Sequence, residues 1–111
     1  MSLVGAKVLS GKEIRMILRT ALGEVLRQER LAQGKTLRKV SGTGLIALGY
    51  LSEIERGQKE ASSEIIEGVA FALGMPAHEL VMKASLMMAG LSVPDTAETL
   101  LDEYADLMVR S

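Results

Sequence analysis

Residues 36–57 read TLRKVSGTGLIALGYLSEIERG. Thr36 stands as an N-cap, with Leu37 and Val40 on one side of a short helix and Arg38 and Lys39 on the other. The run SGTG at 41–44 ends that helix after about two turns, and Ile46 is placed to plug the space before the next. Leu48, Leu51 and Ile54 give a second short helix its apolar stripe, and Gly57 stops it. Two short helices about a tight turn form a helix-turn-helix. Small residues stand where the two should cross, Ser41 in the first and Gly49 beside the start of the second. A glycine inside a helix costs about 1 kcal/mol against alanine. A core helix gains nothing from Gly49, whereas a helix whose first turn must lie close to another molecule does.

Upstream, Ile14, Ile17, Leu18, Ala21, Leu22, Val25 and Leu26 recur at helical spacing, with charged residues between them. This amphipathic helix ends near Gly34, and Gly23 within it invites close packing of a neighbour. Ser10 and Glu13 have capping-box spacing. Residues 1–15 are assigned to an N-terminal arm or appended extension, residues 16–89 to the helix-turn-helix domain and residues 90–111 to a C-terminal dimerisation helix. Downstream, Ser62 or Ser63 caps a fourth helix whose core face is Ile65, Ile66, Val69, Ala70 and Leu73. Gly74 closes it, and Pro76 opens a fifth with Leu80, Val81 and Ala84 inward. After a link at 89–94, residues 95–109 carry a further apolar stripe.

The composition supports this all-helical reading. Apolar residues make up 48% of the 111 positions but aromatics only 3%, so aliphatic side chains and methionine must fill the core. Cysteine is absent, which removes disulfides and thiolate metal sites and fits a reducing cytoplasm. No signal-peptide pattern is expected at the start, and no apolar run approaches the roughly 20 residues of a membrane span. The net charge of −1 conceals a division: residues 1–60 sum to +5 and residues 61–111 to −6. A basic half joined to an acidic half suits one face for a polyanion and another for a different task.

An enzyme is not expected. His78 is the single histidine and sits at a helix start, and no nucleophile triad, metal cluster or phosphate-loop pattern occurs. Glu53 and Glu55, two apart on a helix, point to different sides and do not pair as acid and base. No metal or cofactor is implied.

The string LGEVLRQERLAQGKTLRKVSGTGLIALGYLSEIERGQ at 22–58 resembles the Cro/repressor-type helix-turn-helix regulators, the XRE family. LGYLSEIERGQKEASSEII at 48–66, followed by ALGMPAHEL at 72–80, is similar to the Clp-gene regulators, the ClgR-like group. The resemblance implies a five-helix lambda-repressor-like domain with an additional C-terminal helix. It implies a transcriptional regulator of Clp protease and stress-response genes, acting as an activator with RNA polymerase as a further partner. It places Ala47, Leu48, Gly49, Ser52 and Glu53 at base edges in the major groove. Thr36, Arg38, Lys39, Tyr50, Lys59, Ser62 and Ser63 are assigned to phosphates, and Arg30 with Glu55 to a structural ion pair. Two departures stand out. Ala47 replaces the serine cap usual in the family, and Leu45 occupies the usual turn glycine, leaving Gly42 or Gly44 to supply the bend.

One such module reads one half-site, so a homodimer on a pseudo-palindromic operator is expected. Its contact stripe is assigned to Ala97, Leu100, Leu101, Tyr104, Leu107 and Met108, and the surrounding acidic residues would keep this end away from DNA. The competing expectation is a protein-interaction module on the same fold, such as an antitoxin or a bridging factor.

Overall fold

The computed structural model describes residues 10–90, which form five α-helices and no strands. They are α1 (Gly11–Ala32), α2 (Leu37–Gly44), α3 (Leu48–Glu55), α4 (Ser63–Leu73) and α5 (Ala77–Met88). The dimerisation stripe assigned to residues 97–108, and the helix expected to carry it, lie outside the described residues.

Helix boundaries follow local chemistry. The Ser10 hydroxyl accepts from Glu13 N–H at 3.1 Å, while Ser10 N–H donates to the Glu13 carboxylate, completing a capping box. Residues 11–15, assigned from sequence to the arm, are therefore the first turn of α1. Thr36 caps α2 by accepting from Lys39 N–H at 3.0 Å, and Ser62 caps α4 by accepting from Ile65 N–H at 3.3 Å. Ala47 offers α3 no side-chain cap, as its missing hydroxyl requires. The loop after α1 closes the far end of α4: Gln33 Nε2 donates to Leu73 O and Lys35 Nζ to Ala72 O, each at 2.8 Å. A cation at those last carbonyls also suits the helix dipole.

The core lies where all five helices meet and is filled by Val25, Leu26, Val40, Leu51, Ile54, Val69, Leu80, Ala84 and Leu86. Each such large aliphatic side chain contributes on the order of 1.5–3 kcal/mol by leaving water. Lys83 of α5 is buried against α1 and paired with Glu29. Two sequence expectations change here. Val81 is exposed beside Leu18 and Leu22 of α1, while Leu80 and Ala84 are fully buried. Ile14, Ile17 and Leu18 remain exposed, and the buried positions of α1 begin at Ala21.

The bend between α2 and α3 is also supplied differently from expectation. Leu45 itself adopts the left-handed conformation, at φ 57 and ψ 45, with its side chain 93% exposed. Gly42 and Gly44 both remain inside α2. Gly44 is needed for a different reason: a β-carbon there would stand 2.8 Å from Gly68 O in α4. Ile46 N–H donates to Ser41 O at 2.9 Å, the Ser41 hydroxyl donates back to Ile46 O, and the Ile46 side chain is buried. These contacts fix the turn in place of a glycine.

Candidate nucleic-acid interface

The helix-turn-helix holds α3 firmly at one end and leaves the other open. At the C-terminal end, Gly23 of α1 passes directly beneath α3, and a β-carbon there would collide with Ile54 O and approach Glu55 O at 2.7 Å. Arg30 grips Glu55 with two hydrogen bonds, Nε to Oε2 at 2.8 Å and Nη2 to Oε1 at 3.0 Å. Its remaining nitrogen donates to Lys35 O at 2.9 Å, which ties α1, the loop before α2 and α3 together. Both side chains are nearly buried, at 11% and 6% exposure. Donation to the Glu55 carboxylate raises the Arg30 pKa above its ordinary value, outweighing the opposite effect of burial. The sequence-assigned structural pair is thus formed, as a bidentate fork.

At the N-terminal end, Ala47, Leu48, Gly49 and Tyr50 are all exposed. Only Leu51 and Ile54 carry α3 into the core. A β-carbon on Gly49 would meet nothing within 4 Å. The expectation that Gly49 marks the crossing of the two helices is therefore corrected: the close approaches are at Gly23 and Gly44, and Gly49 faces open space. Among the described residues nothing packs against this position.

Ser52 and Glu53 are half-buried. Ser52 borders an open hollow of about 490 Å³ whose walls carry Arg27, Arg30 and Arg56 together with Glu24 and Glu55. Tyr50 donates its hydroxyl to Glu60 O at 2.8 Å, fastening α3 to the loop before α4. Arg38 and Lys39 on α2 and Lys59 in that loop are exposed and pair with no described residue. Thr36 and Ser62 spend their side-chain oxygens on caps, so an anion at either site would meet free backbone N–H groups, with Ser63 adding an exposed hydroxyl at α4. Glu64 in the first turn of α4 opposes an anion there. Arg56 stands among the polar residues just beyond α3 in the sequence and received no contact assignment. It is the C-cap of α3 and exposed, and its position directly before Gly57 was the available signal.

Among the described residues no cluster of His, Asp or Glu could hold a metal ion, and no single helix is long and apolar enough to cross a membrane.

These five helices, with a short exposed second helix held between basic flanks, define the helix-turn-helix class of DNA-binding regulators. No family model matches the chain. The chain is 47% identical over 73 residues to the transcriptional regulator ClgR of Mycobacterium tuberculosis, a match that covers 66% of this chain and 65% of that protein, just under two thirds of its length. Its structure is similar to that of the clp gene regulator ClgR from C. glutamicum, with a TM-score of 0.60 and 44% identity, over 64% of this chain and 92% of that one. It is also similar to the restriction-modification controller protein C.AhdI from Aeromonas hydrophila, with a TM-score of 0.55 and 29% identity, over 56% of this chain and 94% of that one. The chain belongs to the Cro/repressor-type (XRE) helix-turn-helix transcriptional regulators, in the ClgR-like group.

Proposed function

We propose that this chain is a sequence-specific double-stranded DNA-binding regulator that activates clp and stress-response genes in the cytoplasm. It acts as a homodimer on a pseudo-palindromic operator, with RNA polymerase as its downstream partner. The observation that carries the reading is the open leading turn of α3, where a β-carbon on Gly49 would meet nothing within 4 Å among the described residues, while the far end of the helix is clamped. In this reading Ala47, Leu48, Gly49, Ser52 and Glu53 meet base edges, and α3 enters the major groove by its N-terminal end. Thr36, Arg38, Lys39, Tyr50, Lys59, Ser62 and Ser63 meet phosphates, each carrying register rather than sequence information. Residues 11–89 form the DNA-binding domain in this reading, and the stripe Ala97 to Met108 joins two copies.

The test is a gel-shift titration across salt concentrations with a clp-promoter duplex. Wild-type chain should show specific binding that falls steeply with salt. Lys59→Ala should weaken binding to all sequences and flatten the salt slope by about one unit. Glu53→Ala should instead alter preference among base pairs at one position, by about 1–3 kcal/mol. Binding without salt dependence, or a shared loss that tracks thermal stability alone, would refute the contact assignments.

A further inference from the structure

The loop between α3 and α4 carries Lys59, which is exposed and pairs with no described residue. That loop is fastened from two sides. Gly57 begins it in the left-handed region, at φ 75, and a β-carbon there would stand 3.3 Å from Thr20 Cα of α1. The chain therefore leaves α3 lying close on α1. Glu60 then makes two further ties. Its carbonyl accepts from the Tyr50 hydroxyl of α3 at 2.8 Å, and its carboxylate Oε1 accepts from Arg19 Nη2 of α1 at 2.8 Å. Ser62, two residues on, caps α4 and ends the loop. Lys59 thus stands between a close backbone approach at Gly57 and a two-way anchor at Glu60.

We propose that Glu60 and Arg19 are positioning residues for Lys59: together they hold the loop so that its ammonium group is presented to the DNA backbone. The inference rests on the DNA-binding reading above and deepens it by naming what places one of its phosphate contacts. An acid beside a phosphate-facing lysine repels the same phosphates, so an unattached Glu60 would only weaken DNA binding. Pairing with Arg19 offsets that charge and turns the carboxylate toward α1. Arg19 in turn depends on Glu60, because its Nε is buried with no partner among the described residues. Folding stability does not account for the pair. The two side chains are 35% and 55% exposed, and ion pairs exposed to that degree contribute little to it. What the pair supplies is order. A loop already fixed in place loses less conformational entropy when its lysine meets a phosphate.

Full-length protein would be titrated with the clp-promoter duplex across salt concentrations, with a melting curve recorded for each variant. Glu60→Ala should weaken binding about three- to tenfold, the scale of one phosphate contact, and flatten the salt slope by about one unit, with the melting temperature retained. In a Lys59→Ala background the same substitution should change neither quantity, because the contact it positions is already gone. Arg19→Ala should match Glu60→Ala, and the two combined should be no weaker than either alone. Glu60→Gln keeps an oxygen for Arg19 Nη2 and should retain the wild-type slope. A Glu60→Ala protein that binds as well as wild type, or more tightly, overturns the proposal and leaves Glu60 a plain surface acid. An equal loss with and without Lys59 overturns it too, as does a loss of affinity that follows the melting temperature. Wild-type binding with no salt dependence overturns the DNA-binding reading and this inference with it.

Discussion

Gly44 of α2 and Gly68 of α4 lie against each other, each where a side chain on one would run into the other's backbone. A β-carbon on Gly44 would stand 2.8 Å from Gly68 O, and one on Gly68 would stand 2.7 Å from Gly44 O. This contact lets α2 sit tightly on α4 and so sets the height of the helix-turn-helix on the body. Gly68→Ala should therefore destabilise by about 1–3 kcal/mol, as overpacking does, although alanine is the better helix former. Urea denaturation measures it, and a gain in stability would show that the two helices can separate without cost.

Gly23 and Gly49 should respond oppositely to the same substitution. Gly23→Ala forces a methyl group onto Ile54 O and Glu55 O and should lower the melting temperature. Gly49→Ala adds its methyl group to open space and should raise stability by up to about 1 kcal/mol through helix propensity. The same Gly49→Ala protein should bind operator DNA more weakly, because the added carbon lies on the surface proposed to meet bases. Paired thermal melts and gel shifts separate the two effects. Undiminished binding by a more stable Gly49→Ala protein would remove Gly49 from the interface.

Leu45 holds a left-handed backbone that costs a residue with a β-carbon about 1–2 kcal/mol. Its side chain is 93% exposed and gives little in return. Leu45→Gly should stabilise the protein by about 1 kcal/mol, less than the full relief because glycine has more chain freedom to lose. Leu45→Ala keeps the strain and should be close to neutral. Chemical denaturation of the pair checks the account, and equal behaviour of the two variants would contradict it.

The Arg30–Glu55 fork predicts a large asymmetric loss. Glu55→Ala leaves the buried guanidinium with only Lys35 O as partner and should cost about 3–5 kcal/mol. Replacing both residues with apolar side chains of similar volume should recover much of that loss. Because the Arg30 pKa is raised, its contribution is complete below the ordinary arginine value and fades only as pH climbs through the higher folded value. Denaturation at neutral and moderately alkaline pH should accordingly show the same Glu55→Ala deficit. A deficit that shrank over that range would point to a different origin.

The sequence by itself determined the helices and their order. Caps at Ser10, Thr36 and Ser62, stops at Gly57 and Gly74, and apolar spacing along each segment are local signals, and the five described helices follow them, with α1 reaching back over residues 11–15. It also supplied the motif strings that marked α2 and α3. Tertiary structure alone decided which glycines serve packing and which face solvent. Gly23, Gly44 and Gly49 look alike in the string, and only the approach of another backbone distinguishes them. It likewise decided that Leu45 bears the bend, because Ser41 and Ile46 pin the turn from both sides, and that Val81 stays exposed beside α1 while Leu80 and Ala84 are buried. Capping and periodicity act over a few neighbouring residues and can be read in order along a chain, whereas close approach depends on atoms far apart in sequence and exists only once the helices have packed.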